Sequence, residues 1–441
     1  MPPEGNRPGG IGAAVAAAER RARNSLLRNH GGGHAPVSNL ELFFDLVFVF
    51  AITQLSHFVG HHLNPLGFVE GLMLFLALWW GWMYTTWVTN WLNPDRLPVR
   101  VMLLVLMLLS LGMAVSLPDA FADKALPFAL CYVAIQLGRT LCTAAMFQRE
   151  RAHNTRNMVR IAVWFAASAP LWIAGALAGG AIQFGCWIAA LAIEYLGPFA
   201  LYRVPLLGRS KPSEWDISGS HMAERCALFI IIALGEGIVV TGATMASTLP
   251  SLGMTLAFVT AFAGSALLWW LYFDMGAVRG AQFISGHSQV GRVARNAFTY
   301  LHMPIVLGVV ILAVGDAMLM ERWDHPADLA LIAVQTFGML TFLIGLGLFK
   351  RFGNTIGNFP LSHMIAILLA AALGLWAWWH PPGTALFANA GVAILLLTAV
   401  WEWVSYHGGW MERLERLGVP YPERMRTSFE KRRIETEQKR G

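Results

Sequence analysis

The residues with chemistry to offer are the few charges that fall inside long apolar runs. The stretch "NLELFFDLVFVFAITQLSHFVGHH", residues 39–62, carries Glu41, Asp45 and Gln54. An i, i+4 spacing puts Glu41 and Asp45 on one helical face, which must turn away from lipid. Glu224 and Glu236 occupy a comparable stretch, "MAERCALFIIIALGEGIVVTG". Glu41 and Glu224 fall at expected helix starts, where a carboxylate complements the helix N-terminus. Glu236 lies about 18 Å beyond Glu224 along the helix, near mid-membrane. Its flanking Gly235 and Gly237 permit close helix approach or a break at a site.

Arg139, one turn after Gln136, is the one cation expected within a span, and a charge there needs a partner. Asp45, Glu194 and Glu236 lie at compatible depth. Glu194 and Glu402 close the sixth and twelfth expected spans, each followed by an aromatic residue. Like carboxylates brought together in a membrane would share a proton, which suits a proton carrier. The structural alternative for all of these residues is a static network that ties helices together. His57, His61 and His62 have i, i+4 spacing but no acidic or cysteine partner nearby in sequence, so no metal site is expected. His302, beside Pro304, reads as a hydrogen-bonded contact near a kink. Trp87 and Trp91 suit an interfacial belt. Trp79 and Trp80 sit deeper and recur as Trp269 and Trp270, as core or, alternatively, as a stacking wall.

These residues must be held by membrane helices. The 441-residue chain is 56% hydrophobic and 13% charged, about half the charge of a soluble domain at roughly 25%. Apolar runs long enough to cross a bilayer core of about 30 Å recur throughout. About twelve spans are expected, near 39–59, 67–91, 98–118, 126–147, 159–179, 182–203, 222–246, 253–277, 296–318, 328–349, 361–379 and 386–408. Cations cluster in alternate loops and leave only Lys124 and Arg322 on the other side, which puts both termini in the cytoplasm. The net charge of +6 then faces an anionic leaflet and calls for no nucleic acid. The four cysteines show no ligand or pairing pattern and read as free thiols. No Walker loop, nucleophile elbow or zincin helix is present, and no cofactor is expected.

The halves match weakly but in order: Glu41 with Glu224, "LWWGWMY" with "LWWLYFD", Gln136 with Gln335, Glu194 with Glu402. Six spans per half give the halves one orientation, as in parallel-repeat transporters. The expected organisation is a basic disordered tail (1–38), a first six-helix repeat (39–203), a cytoplasmic linker (204–221), a second repeat (222–408) and a charged tail (409–441).

The motifs "LELFFDLVFVFAITQLSHF", "WWGWMYTTWVTNWLNPDR", "AERCALFIIIALGEGIV" and "YLHMPIVLGVVILAVG" resemble the bacterial low temperature requirement protein A (LtrA) family. The resemblance covers most of residues 38–405. It places the family's acidic signatures on Glu41, Asp45, Glu224 and Glu236, with Cys226 standing where the family's Glu-Arg-Phe has an aromatic. It implies an inner-membrane protein associated with growth in the cold, and no settled activity.

The residues themselves suggest a secondary transporter, proton-coupled, with a site between the halves. Asp45 and Glu236 would carry protons, Arg139 would be their counter-charge, and Gln54 and Gln136 would be hydrogen-bonding ligands, beside Glu194 and Glu402. The expected partners are membrane lipids and a small molecule or ion. An intramembrane enzyme acting on lipid or isoprenoid substrates, and a membrane-organising component, are the alternatives.

Overall fold

Ser38 and Glu41 cap each other. The Ser38 hydroxyl accepts from the Glu41 N–H at 3.3 Å, and the Glu41 carboxylate accepts from the Ser38 N–H at 2.8 Å. This reciprocal box satisfies two orphan donors and fixes the start of α1 (Asn39–His61). Asn64 caps α2 (Pro65–Trp91), whose first residue is proline, and Ser251 caps α8 (Leu252–Tyr272). Between them run α3 (Leu97–Ser116), α4 (Ala125–Phe147), α5 (Ala152–Ala178), α6 (Gly180–Leu196) and α7 (Gly219–Ser247). The chain continues through α9 (Val290–Arg322), α10 (Leu329–Phe352), α11 (Leu361–Trp379) and α12 (Thr384–His407). The computed structural model describes residues 25–28, 36–148, 152–211, 214–215, 217–247, 249, 251–274, 284, 290–352 and 358–407.

Among the described residues, 11 helices are long and apolar enough to cross a membrane, and α6, with 17 residues, is an apolar helix just short of that. The protein is an all-α polytopic membrane protein. Exposed side chains on these helices are what lipid requires. On α1, Leu42, Phe43, Leu46 and Phe50 face outward while Glu41, Asp45, Phe48 and Ile52 are buried. The acidic face of α1 therefore points into the bundle, where each charge can find a partner.

In the first half, α1 packs on α2 and α3, α3 on α4, α4 on α5, α5 on α6, and α6 returns to α2. In the second half, α7 packs on α8 and α9, α9 on α10, α10 on α11, α11 on α12, and α12 returns to α8. The two halves meet chiefly where α1 lies against α7 and α9.

Several span edges differ from expectation. The sixth span ends at Leu196 rather than near 203, because Gly197–Pro198 and the left-handed Leu201 and Tyr202 turn the chain. The ninth begins at Val290 and passes through a π-helical turn, Ala294–Tyr300, before the α-helix His302–Arg322. Trp79, Trp80 and Trp82 are buried, whereas Trp269 and Trp270 are 48% and 44% exposed on the lipid side. The sequence match between the two tryptophan pairs therefore does not extend to their surroundings. Residues 25–28, expected within a disordered tail, form an antiparallel bridge from Leu27 to Leu92. The rest of that tail, apart from 36–38, and all of 409–441 lie outside the described residues.

Candidate functional site

The seam between the halves carries most of the buried charge. Glu41 of α1 accepts from Arg28 at 2.8 Å and meets His221 of α7 at 2.8 Å. The Nδ1 of His221 faces the Asn90 amide nitrogen at 3.1 Å. That nitrogen is a donor, so His221 Nδ1 accepts and its Nε2 carries the proton given to Glu41. One turn on, the Asp45 carboxylate accepts from Arg225 Nη1 at 2.6 Å and from the Trp82 indole at 2.8 Å. Deeper still, the Thr53 hydroxyl lies 2.5 Å from Glu236 Oε2.

The sequence separations of these three contacts, 180, 180 and 183 residues, are almost constant. In an antiparallel pair the sum of residue numbers would be constant instead. α1 and α7 therefore run parallel and level with each other, and equivalent depths face across the seam. Glu41 to Thr53 spans about 18 Å of helix rise.

Two expectations change here. Asp45 does not meet Arg139; its partner is Arg225, which the sequence counts among the cations of the inner side, at the edge of the seventh span. α7 starts at Gly219, three residues before the expected edge, so Glu224 is not in its first turn and Arg225 is fully buried. Thr53 rather than its neighbour Gln54 reaches across the seam.

Glu236 is chemically distinct from the pairs above it. It is 1% exposed and its Oε1 makes no hydrogen bond of ordinary geometry among the described residues, although the Ser56 hydroxyl stands beside the carboxylate and His57 lies close enough to act on its charge. Among the described residues it forms no ion pair. Gly237 beside it sits where α8 and α9 come close: a Cβ there would lie 3.2 Å from Ser265 Oγ and 3.7 Å from Asp316 Oδ2. Asp316, which sequence reading missed, accepts from Gln335 at 3.4 Å. It lies two residues from the expected end of the ninth span, where a carboxylate costs little, but the helix continues to Arg322.

A second network stands within the first half. Arg139 is completely buried, yet no carboxylate pairs with it among the described residues. Its Nη1 donates to the Gly81 carbonyl at 3.1 Å, its Nη2 donates to Gln136 Oε1, and the Tyr84 ring lies 5.2 Å from the guanidinium carbon. Gln136 donates to the Tyr132 hydroxyl at 2.8 Å, and Tyr132 donates to Glu194 at 2.5 Å. Ser168 at 2.7 Å and the Trp172 indole at 2.9 Å complete the Glu194 carboxylate. Gln136, Arg139 and Glu194 thus belong together, with neutral donors in place of a direct ion pair.

Glu402 stands apart from Glu194 and is not its like-charged neighbour. It is held by Lys350 at 2.5 Å, by His363 at 3.1 Å and by Ser362 at 3.2 Å, near the inner ends of α10, α11 and α12. His61 and His62 each turn Nδ1 to a backbone carbonyl of their own helix, at 2.7 Å and 2.8 Å. His302 bonds the Tyr272 hydroxyl at 2.8 Å and the Ala297 carbonyl at 2.9 Å, at the junction between the π turn and the α-helix.

A partly open cavity, with an enclosed volume of about 70 Å³, lies at the end of the bundle where α2, α4 and α6 finish and α5 and α9 begin. Its walls include Trp80, Trp87, Trp91 and Trp215, and its charged lining residues are Arg139, Arg292 and Arg295. Tyr202, outside the spans, closes one side through a hydroxyl–hydroxyl contact with Tyr84. Burial pushes the Tyr202 phenol well above its usual range, so it is neutral there.

The helix count, the apolar exterior and the charged seam define a multi-pass helical membrane protein with a buried polar centre. Over residues 36–400 the chain matches the family described as bacterial low temperature requirement A protein (LtrA), and it belongs to that family. It is similar to the uncharacterized protein RA0937 of Rhizobium meliloti (strain 1021), 38% identical over 384 residues that cover 86% of this chain and 92% of that protein. No solved structure matches the chain.

Proposed function

We propose that the protein is a proton-coupled secondary transporter of the bacterial inner membrane, built from two parallel six-helix repeats. The packing order common to the halves and the level, parallel pairing of α1 with α7 support the repeat. The observation that carries the transport reading is Glu236. It is buried on the seam, tied by one oxygen to the opposite half and free of any ion pair among the described residues.

Such a carboxylate can take up or release a proton without breaking an ion pair. The Thr53 hydroxyl has a single hydrogen and two acceptors in reach, the Val49 carbonyl at 3.2 Å and Glu236 at 2.5 Å. When Glu236 is ionised, Thr53 donates to it. When Glu236 is protonated, it donates to Thr53, which turns its own hydrogen to Val49. Proton binding at Glu236 thereby changes the bond between the halves, the element a rocking transporter must couple. The Asp45–Arg225 and Glu41–His221 pairs are the hinge side of the seam rather than carriers.

Solid-supported-membrane electrophysiology on reconstituted protein tests this reading, with a pH step followed by pooled metabolites. A sustained proton current in wild type, lost in Glu236→Gln, is expected. Silence of folded wild-type protein under every pool would reject transport.

A further inference from the structure

We propose that the tryptophan-walled cavity is a binding site for a small organic anion with a planar aromatic body, its carboxylate head held by Arg139. Two independent features select the ligand's chemistry.

The first is charge. Among the described residues, each of the three charged residues lining the cavity is an arginine. Arg139 is fully buried and its Nε has no partner among the described residues. The nearest carboxylate by way of hydrogen bonds is Glu194, two neutral links away through Gln136 and Tyr132. A buried guanidinium compensated by carbonyls, an amide and an aromatic face retains its full charge and a free donor. An anion brought beside it gains a charge-assisted hydrogen bond in a region of low dielectric. Arg292, exposed, and Arg295, half-buried, stand on the α9 side, where they draw anions inward.

The second is shape. Trp87, Trp91 and Trp215 form a mutual cluster with ring centroids 5.5 to 5.7 Å apart, and Trp80 is stacked on Tyr195 at 3.9 Å. Rigid aromatic walls favour a flat ring, which stacks with little loss of freedom. An anionic head on an apolar body is also the chemistry of a lipid of the adjacent leaflet, and the flat walls favour the free aromatic acid.

The site does not rest on transport: binding is measured at equilibrium in detergent, so failure of one reading leaves the other standing. Isothermal titration calorimetry in dodecyl maltoside would compare indole-3-acetate with its uncharged analogue indole-3-acetamide. Saturable binding of the acid is expected, with the amide weaker by about ten-fold or more, the worth of one charge-assisted bond. Arg139→Gln is expected to remove the preference for the acid. Because Arg139 is buried, Trp215→Ala in the connection between the halves is the second variant, expected to weaken the acid by about ten-fold, the value of one aromatic stack, while circular dichroism shows the helical fold retained. No saturable binding of the acid, equal binding of acid and amide, or wild-type affinity in both variants would overturn the proposal. So would phosphatidylglycerol binding in an Arg139-dependent manner when no aromatic acid does, which would assign the cavity to lipid.

Discussion

Thr53 and Glu236 face each other at 2.5 Å from the first helices of the two halves, at a depth where no ion pair holds the carboxylate among the described residues. Higher on the same seam, the acidic residues are matched with Arg28, His221 and Arg225. Along one helix pair the seam thus grades from acids held by cations to an acid held by a hydroxyl.

Removing the Thr53 hydroxyl should act on coupling rather than on fold. Thr53→Val keeps the volume and leaves Glu236 without its bond to the opposite half. The pH-step current should fall while the unfolding temperature moves by only a few degrees. Thr53→Ser should restore the current, and a Ser variant as inactive as Val would sink the two-acceptor mechanism.

The Asp45–Arg225 pair should behave as a structural unit. Breaking a buried pair by removing one partner costs about 3–5 kcal/mol. Asp45→Asn and Arg225→Met should each lower the unfolding temperature strongly, and the double variant should recover much of the loss. Additive single effects in that cycle would show that the two side chains do not interact.

Tyr132→Phe should unsettle Glu194 and Gln136 together, because Tyr132 is the link between them. The expected loss is about 1–3 kcal/mol, the cost of leaving buried polar groups without a partner. Gln136→Leu in the Tyr132→Phe background should cost more again, because it also takes the acceptor from the buried Arg139 Nη2, which thermal unfolding of the single and double variants checks.

Two glycines give opposite expectations for the same substitution. A Cβ on Gly308 would lie 2.5 Å from the backbone nitrogen of Phe342, where α9 and α10 touch, so Gly308→Ala must push the helices apart. Its cost should be about 1–3 kcal/mol. A Cβ on Gly235 meets nothing within 4 Å, so Gly235→Ala should be neutral or stabilising. Equal unfolding temperatures for the two variants would contradict this packing.

The number and order of spans were legible because each helix must bury its backbone in an apolar run, and that pattern survives in sequence. The start of α1 at Glu41 was legible for a local reason, since a carboxylate complements a helix N-terminus, while its capping partner Ser38 came only with the structure. Partner choice was not. Arg225, three residues inside the expected seventh span, counted with the cations of the inner side, yet α7 starts at Gly219 and carries it into the bundle. Arg139 looked as though it must have a carboxylate, yet carbonyls, an amide and a ring compensate it, and such groups leave no sign in sequence. Trp269 and Trp270 repeat the letters of Trp79 and Trp80, but lipid accepts an indole as readily as a core does.

The short bridge near the amino terminus has a bearing on how the protein is made. Arg28 donates its N–H to the Trp91 carbonyl at 2.8 Å and its side chain to Glu41, so it fastens the beginning of α1 to the end of α2. The fastening cannot close until α2 has crossed back to the side it shares with residue 28. It is a latch on the first helical hairpin whose parts all lie within residues 26–93, so it needs nothing from the helices that follow.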